Sequence, residues 1–197
     1  MIPEILPALL LFALVTVITP GPNNLMLMAS GANFGLRRSV PHMFGVGLGF
    51  PMMVVLVGLG VMQLFDLWPQ SYLVLKIASA AYMLYLAWKI AHAAAPRDTG
   101  ATGRPLSFFQ AAAFQWVNPK AWSMGLSAIT LYAAGRDLAA VLWVAGAYVV
   151  CAVLSTTLWT LAGQQLRRLL RAPARLRAFN WLMAGLLVAS LLPVLFR

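Results

Sequence analysis

The sequence predicts an all-α membrane protein: six transmembrane helices forming an inverted 3+3 repeat, with helices one and four broken. Composition is the first of three reasons. Hydrophobic residues make up 62% of the chain and charged residues 9%, and the mean hydropathy is +0.84. A soluble domain would carry roughly 25% charged residues. The second reason is segmentation. The apolar residues fall into stretches that meet the ~20 residues a helix needs to span a bilayer, without the short alternating segments of a membrane barrel. The third is that two stretches are interrupted at corresponding places, by Pro20-Gly21-Pro22-Asn23-Asn24 and by Asn118-Pro119-Lys120. A single transmembrane domain covers 1–197, with repeat one at 1–93, a cytoplasmic loop at 94–105 and repeat two at 106–197.

Span one, 5–34, opens with an uncharged run from Ile5 to Thr19. As a helix that run rises only ~22 Å, short of the ~30 Å hydrocarbon core, so the chain reaches its break inside the membrane. Backbone groups released at that depth are tolerated only where protein or a water-filled cavity satisfies them. A helix broken near the midplane marks the substrate site of many transporters. Span two, 39–63, carries Gly45 and Gly49 one turn apart beside Gly47. That face expects a closely packed helix, from the same chain or from a second copy in a homodimer. Span three, 69–93, contains Lys76, which snorkels or faces the interior. Span four, 106–132, breaks at Asn118, ~17 Å along the helix from Ser107. Span five, 138–163, bears a polar stripe of Ser155, Thr156, Thr157 and Thr160, a pattern usually satisfied by carbonyls one turn back. Span six is 178–196. The lone Cys151 has apolar neighbours and reads as a small buried hydrophobe.

The connections carry a directional charge pattern. Leu36–Arg38, Ala94–Pro105 and Gln164–Arg177 hold Arg37, Arg38, Arg97, Arg104, Arg167, Arg168, Arg171, Arg175 and Arg177. Leu64–Trp68 and Ala133–Asp137 hold Arg136 alone, and the C-terminus adds Arg197. The positive-inside rule then puts both termini outside. Trp68 and Trp143 near outer ends, and Trp88 near an inner end, suit interfacial anchors. The net charge of +10 sits in short gaps between spans rather than on one amphipathic face, which argues for a lipid bilayer and against nucleic acid. The first arginine is Arg37, and Glu4 stands where a basic leader would begin, so no cleaved signal is expected.

The chemistry gathers at the two breaks. Pro22 and Pro119 are each placed to start a half-helix, where proline loses no hydrogen bond. Asn118 then falls at an N-cap, and Gly21 gives the backbone freedom to unwind and approach a ligand. Each start offers unpaired N–H groups and a partial positive charge suited to a carboxylate. Asn23 and Asn24 add amides that donate and accept. Lys120 needs a partner or a cavity at that depth. The four carboxylates, Glu4, Asp66, Asp98 and Asp137, all lie away from the span centres, so a substrate carboxylate is one candidate partner. The alternative is that Lys120 snorkels or bonds backbone carbonyls and Asn118 only caps. The substrate-binding candidates are Pro20, Gly21, Pro22, Asn23, Asn24, Asn118, Pro119 and Lys120, with no metal or cofactor expected. Lys120 and His42 are the candidates for carrying a coupling proton, His42 being placed near the cytoplasmic end of span two, where an interfacial histidine without a role is the simpler reading. An intramembrane enzyme would need a nucleophile with its base, or a metal set, at depth, and neither pattern is in the sequence. A channel could use the same breaks.

At these residues a family resemblance emerges. Thr19-Pro20-Gly21-Pro22-Asn23, followed by Gly31, Gly35, Gly45 and Gly49, resembles the opening signature of the LysE/RhtB amino-acid exporter family. Asn118-Pro119-Lys120-Ala121 is similar to its second signature, and Leu75–Leu86 to its third span. The resemblance implies a six-helix exporter of the bacterial inner membrane that moves amino acids outward at the expense of an ion gradient. Some members have Asp after Pro-Gly-Pro where this chain has Asn23. Without that carboxylate a cationic side chain lacks an evident partner, which favours a neutral substrate of the threonine, homoserine or leucine kind exchanged against protons. Export of another small solute, including a basic amino acid, is the competing expectation.

Overall fold

The computed structural model describes residues 2–61, 63, 67–68, 70–93, 103–133, 137–170 and 172–192. Among them every regular element is a helix: α1 (Ile2–Ile18), α2 (Pro22–Gly58), α3 (Gln70–Ala91), α4 (Phe108–Val117), α5 (Pro119–Tyr132), α6 (Leu138–Leu166) and α7 (Pro173–Ala189). Three segments are long and apolar enough to cross a membrane, Pro22–Gly58, Leu73–Ala91 and Leu138–Leu166. Both expected breaks are present, one between α1 and α2 and one at Asn118 between α4 and α5.

The 37 residues of α2 are two helices in succession. At Gly35 the backbone takes φ 76° and ψ 169°, a region open in practice only to glycine. Ser30 and His42 would stand ~18 Å apart along a straight helix, yet Ser30 Oγ and His42 Nδ1 are 2.8 Å apart. The chain therefore folds back at Gly35, leaving two antiparallel arms, 22–34 and 36–58. The expected connection Leu36–Arg38 is already helical. One glycine suffices because Gln164 Oε1 accepts the Leu36 N–H at 2.6 Å, replacing a bond the turn removes.

α6 is the scaffold for both arms. Tyr148 Oη lies 3.4 Å from Thr16 Oγ1, Ser155 Oγ donates to Val17 O, Trp159 Nε1 donates to Ile18 O, and Gly163 abuts Met28. Numbers rise together on both sides, so broken span one runs alongside α6 in the same direction. The second arm runs against α6, with Gly58 on Val141, Gly47 on Ala152 and Gly35 beside Gln164. That arm in turn carries the other broken helix. Gly45 meets Phe108 and Ala111, Gly49 meets Ala112, and Gly58 meets Ile129, again with numbers rising together. Each broken helix thus lies parallel to an unbroken one drawn from the other half of the chain. The helix that covers Gly45 and Gly49 is α4 of the same chain, not a second copy.

Three further expectations shift. α7 starts at Pro173 rather than 178, because proline at the first helical position costs no bond, and Arg175 and Arg177 are helical. Ser155 bonds across to α1 rather than back along its own helix. His42, expected as an interfacial histidine without a role, is fully buried within the protein, since the fold-back at Gly35 packs it against the first arm. Asp66, Asp98, Arg97, Arg136, Arg171 and Arg197, with most of the 94–105 loop, lie outside the described residues.

Candidate functional site

Interrupting a helix strands the carbonyls of its last turn, and side chains from α2, α5 and α6 answer those of α1. Val17 O accepts from Asn24 Nδ2 and from Ser155 Oγ, both at 2.8 Å. Ile18 O accepts from Trp159 Nε1 at 3.1 Å. Thr19 O accepts from Asn24 Nδ2 at 2.8 Å and from Lys120 Nζ, which also lies 3.5 Å from Pro20 O. The Lys120 ammonium thus sits at the C-terminal end of α1, where the helix dipole favours a cation. It is held by carbonyls, the alternative the sequence left open. Its methylenes cross Gly21 so closely that a Cβ there would stand 2.6 Å from Lys120 Cδ. Gly21 itself is extended, φ −176° and ψ 179°, so its value is the absent side chain rather than an unusual torsion.

The two breaks hold each other. Pro22 and Pro119 both start helices, as expected. The residue after each proline reaches to the other break. Lys120 reaches the end of α1, while Asn23 exchanges two hydrogen bonds with Gln115 of α4, Nδ2 to Oε1 at 2.8 Å and Nε2 to Oδ1 at 3.1 Å. Asn118 caps α5, its Oδ1 accepting the Lys120 N–H at 3.1 Å. Gly21 supplies no side-chain cap, so the first-turn N–H groups of α2 have no intrahelical acceptor.

Between the breaks lies a small cavity, partly open to solvent. Gly21, Asn23, Asn24, Asn118 and Lys120 line it, joined by Ser155 and Thr156 of α6, and Phe50 and Met124 form part of its apolar wall. No Asp or Glu is among the described residues that line it. Pro20, Pro22 and Pro119 shape the wall without lining it, and His42 lines a separate cavity. Sequence reasoning missed Gln115, Ser155 and Thr156 as wall or bracing residues. A glutamine three residues before a break in an apolar span was the one local signal, and it names no partner.

A family model described as LysE type translocator matches residues 14–192. The chain belongs to that family. It is therefore a membrane translocator of the amino-acid efflux type and not an enzyme. Relatives of this translocator include the cysteine/O-acetylserine efflux proteins of Escherichia coli strain K12, Escherichia coli O9:H4 strain HS and Shigella sonnei strain Ss046. Each is 35% identical over 192 residues, covering 95% of this chain and 96% of the relative. No solved structure matches. The Pro-Gly-Pro and Asn-Pro-Lys segments that carried the resemblance are the two that meet at the cavity.

Proposed function

We propose that this translocator exports a small zwitterionic amino acid with an uncharged side chain across the bacterial inner membrane, in exchange for protons, through the cavity between the two breaks. The observation that carries the reading is the cavity wall. It combines Lys120, two half-helix starts and three asparagines with no carboxylate. The ammonium and the first-turn N–H groups suit an α-carboxylate, and asparagine oxygens accept from an α-ammonium. With no carboxylate on the wall, a lysine or arginine side chain finds no counter-charge. The relatives named for cysteine and O-acetylserine favour substrates of that size and polarity over threonine, homoserine or leucine.

The fold supports an inverted repeat of six spans. Span one pairs with α6 and the α4–α5 helix pairs with the second arm, which are equivalent pairings if the halves are related by an in-plane two-fold axis. Binding at Lys120 requires its ammonium to exchange the Thr19 and Pro20 carbonyls for the substrate carboxylate. That exchange couples occupancy of the cavity to the clasp between the halves, the change an alternating-access cycle needs. Lys120 is the proposed proton carrier of the site. One proton moved down ~100 mV is worth ~2.3 kcal/mol, more than the ~1.4 kcal/mol of a tenfold gradient. The test is a comparison of efflux by overexpressing and control cells loaded with cysteine, O-acetylserine, threonine, leucine or lysine. Faster efflux of the first two is expected; selective export of lysine or arginine would overturn the reading.

A further inference from the structure

A second cavity, partly open to solvent, lies along the arms of α2 from the first, towards the arginine-rich end of the bundle. Its wall is built from both arms of α2, from α3 and from the segment before α4. Two cationic side chains, Lys89 and Arg104, line it together with His42 and Asn33. No Asp or Glu is among the described residues that line it. His42 is completely buried, and its Nδ1 is engaged by Ser30 Oγ at 2.8 Å. Nε2 is buried without a hydrogen-bond partner. A buried polar atom without a partner is destabilising, a cost that a ligand atom arriving at Nε2 would relieve. When the Ser30 hydroxyl donates to Nδ1, Nε2 carries the ring proton and becomes a donor. Lys89 Nζ is 3.3 Å from Gln110 Oε1, a neutral acceptor that positions the ammonium without neutralising it. Met26 lines the second cavity and Val46 the first, and both belong to one buried apolar layer with Phe114 and Leu86.

From this arrangement we infer that the second cavity is a loading site for a small carboxylate, bound by Lys89, Arg104 and the His42 Nε2–H beside the Met26–Val46 layer. The inference rests on the proposed transport function, in which the carboxylate is that of the exported amino acid. A site of this kind concentrates substrate at one face of the membrane and leaves the translocation step to the central cavity. It therefore sets KM on that face and not the maximal rate.

The experiment uses everted and right-side-out membrane vesicles, whose accessible faces are opposite, with radiolabelled cysteine kept reduced. Lys89→Gln and Arg104→Gln are expected to raise KM three- to tenfold in everted vesicles, with maximal rate and right-side-out KM within twofold of wild type. Unchanged KM in both variants, or equal shifts on both faces, would overturn the loading site. A second arm uses purified protein in lipid nanodiscs and saturation-transfer NMR with acetate. Transfer to acetate is expected in wild type, to fall by at least half in the Lys89→Gln/Arg104→Gln pair, and to be displaced only weakly by added inorganic phosphate. Equal transfer in the pair, or ready displacement of acetate by phosphate, would overturn it. Wild-type vesicles that take up no amino acid but bind acetate at this cavity would remove the transport reading and leave the carboxylate site standing.

Discussion

Lys120 and Asn23 each follow a helix-starting proline and each reach into the opposite break, so their truncation has two separable consequences. Lys120→Met leaves the Thr19 and Pro20 carbonyls short of a donor and removes the one charge of the central cavity. We expect at least a tenfold loss of export, with membrane levels within twofold of wild type by immunoblot. Wild-type export at equal protein would leave the central site without support. Asn23→Ala and Gln115→Ala break the same pair of hydrogen bonds. Their effects on export should be strongly non-additive, the double variant resembling either single one, as groups in one network behave. Additive losses would show that the pair does not act as a unit. Much of this was legible in the sequence, because a cap followed by proline is a local signal: Asn118-Pro119 declares its own geometry. Gln115 was not, because its partner is 92 residues away and nothing local marks the register that joins them.

At the scale of elements, α2 and α6 cross backbone to backbone. A Cβ on Gly31 would stand 2.0 Å from Thr160 O, and one on Gly163 would stand 2.0 Å from Met28 O. Either alanine must push the helices apart, an overpacking cost of about 1–3 kcal/mol or more. Gly146 and Gly185 face open space within the same class of helix. Gly31→Ala and Gly163→Ala should lower the midpoint of thermal unfolding in detergent by several degrees, whereas Gly146→Ala and Gly185→Ala leave it unchanged or raised. Equal behaviour of all four would contradict the crossing. Gly35→Ala should cost about 1–3 kcal/mol for a different reason, its φ of 76° with ψ 169°, and should be the most damaging change at the fold-back. The positions of the helix breaks were readable because proline punctuates them. The fold-back was not placed correctly, since Leu36-Arg37-Arg38-Ser39 carries no breaker and a single glycine does the turning. The burial of His42 follows from that fold-back, so the sequence alone did not show it.

For the whole molecule, the parallel pairing of each broken helix with a helix of the other half is what an in-plane pseudo-two-fold axis produces, and an inverted repeat demands a definite orientation. Single cysteines at Ala101 and Gly135, in a Cys151→Ala background, should divide accordingly: on intact cells an impermeant thiol reagent labels the second and not the first. Labelling at Ala101 alone would invert the molecule and move the arginine-rich end outside. The segmentation into spans and the charge asymmetry were legible because both are properties of composition along the chain. The pairing of spans was not, because small residues that allow close approach do not name the helix that approaches. The central claim is that the cavity joining the two breaks carries a neutral amino acid in exchange for protons. Its most direct measurement is radiolabelled cysteine efflux from proteoliposomes of the purified protein, with wild type and Lys120→Met compared under an imposed gradient, acidic outside. The account predicts that the gradient accelerates wild-type efflux, that a protonophore abolishes the acceleration, that unlabelled cysteine outside stimulates exchange, and that Lys120→Met does none of these. Efflux indifferent to the gradient and to external cysteine, or unaltered in Lys120→Met, would contradict it.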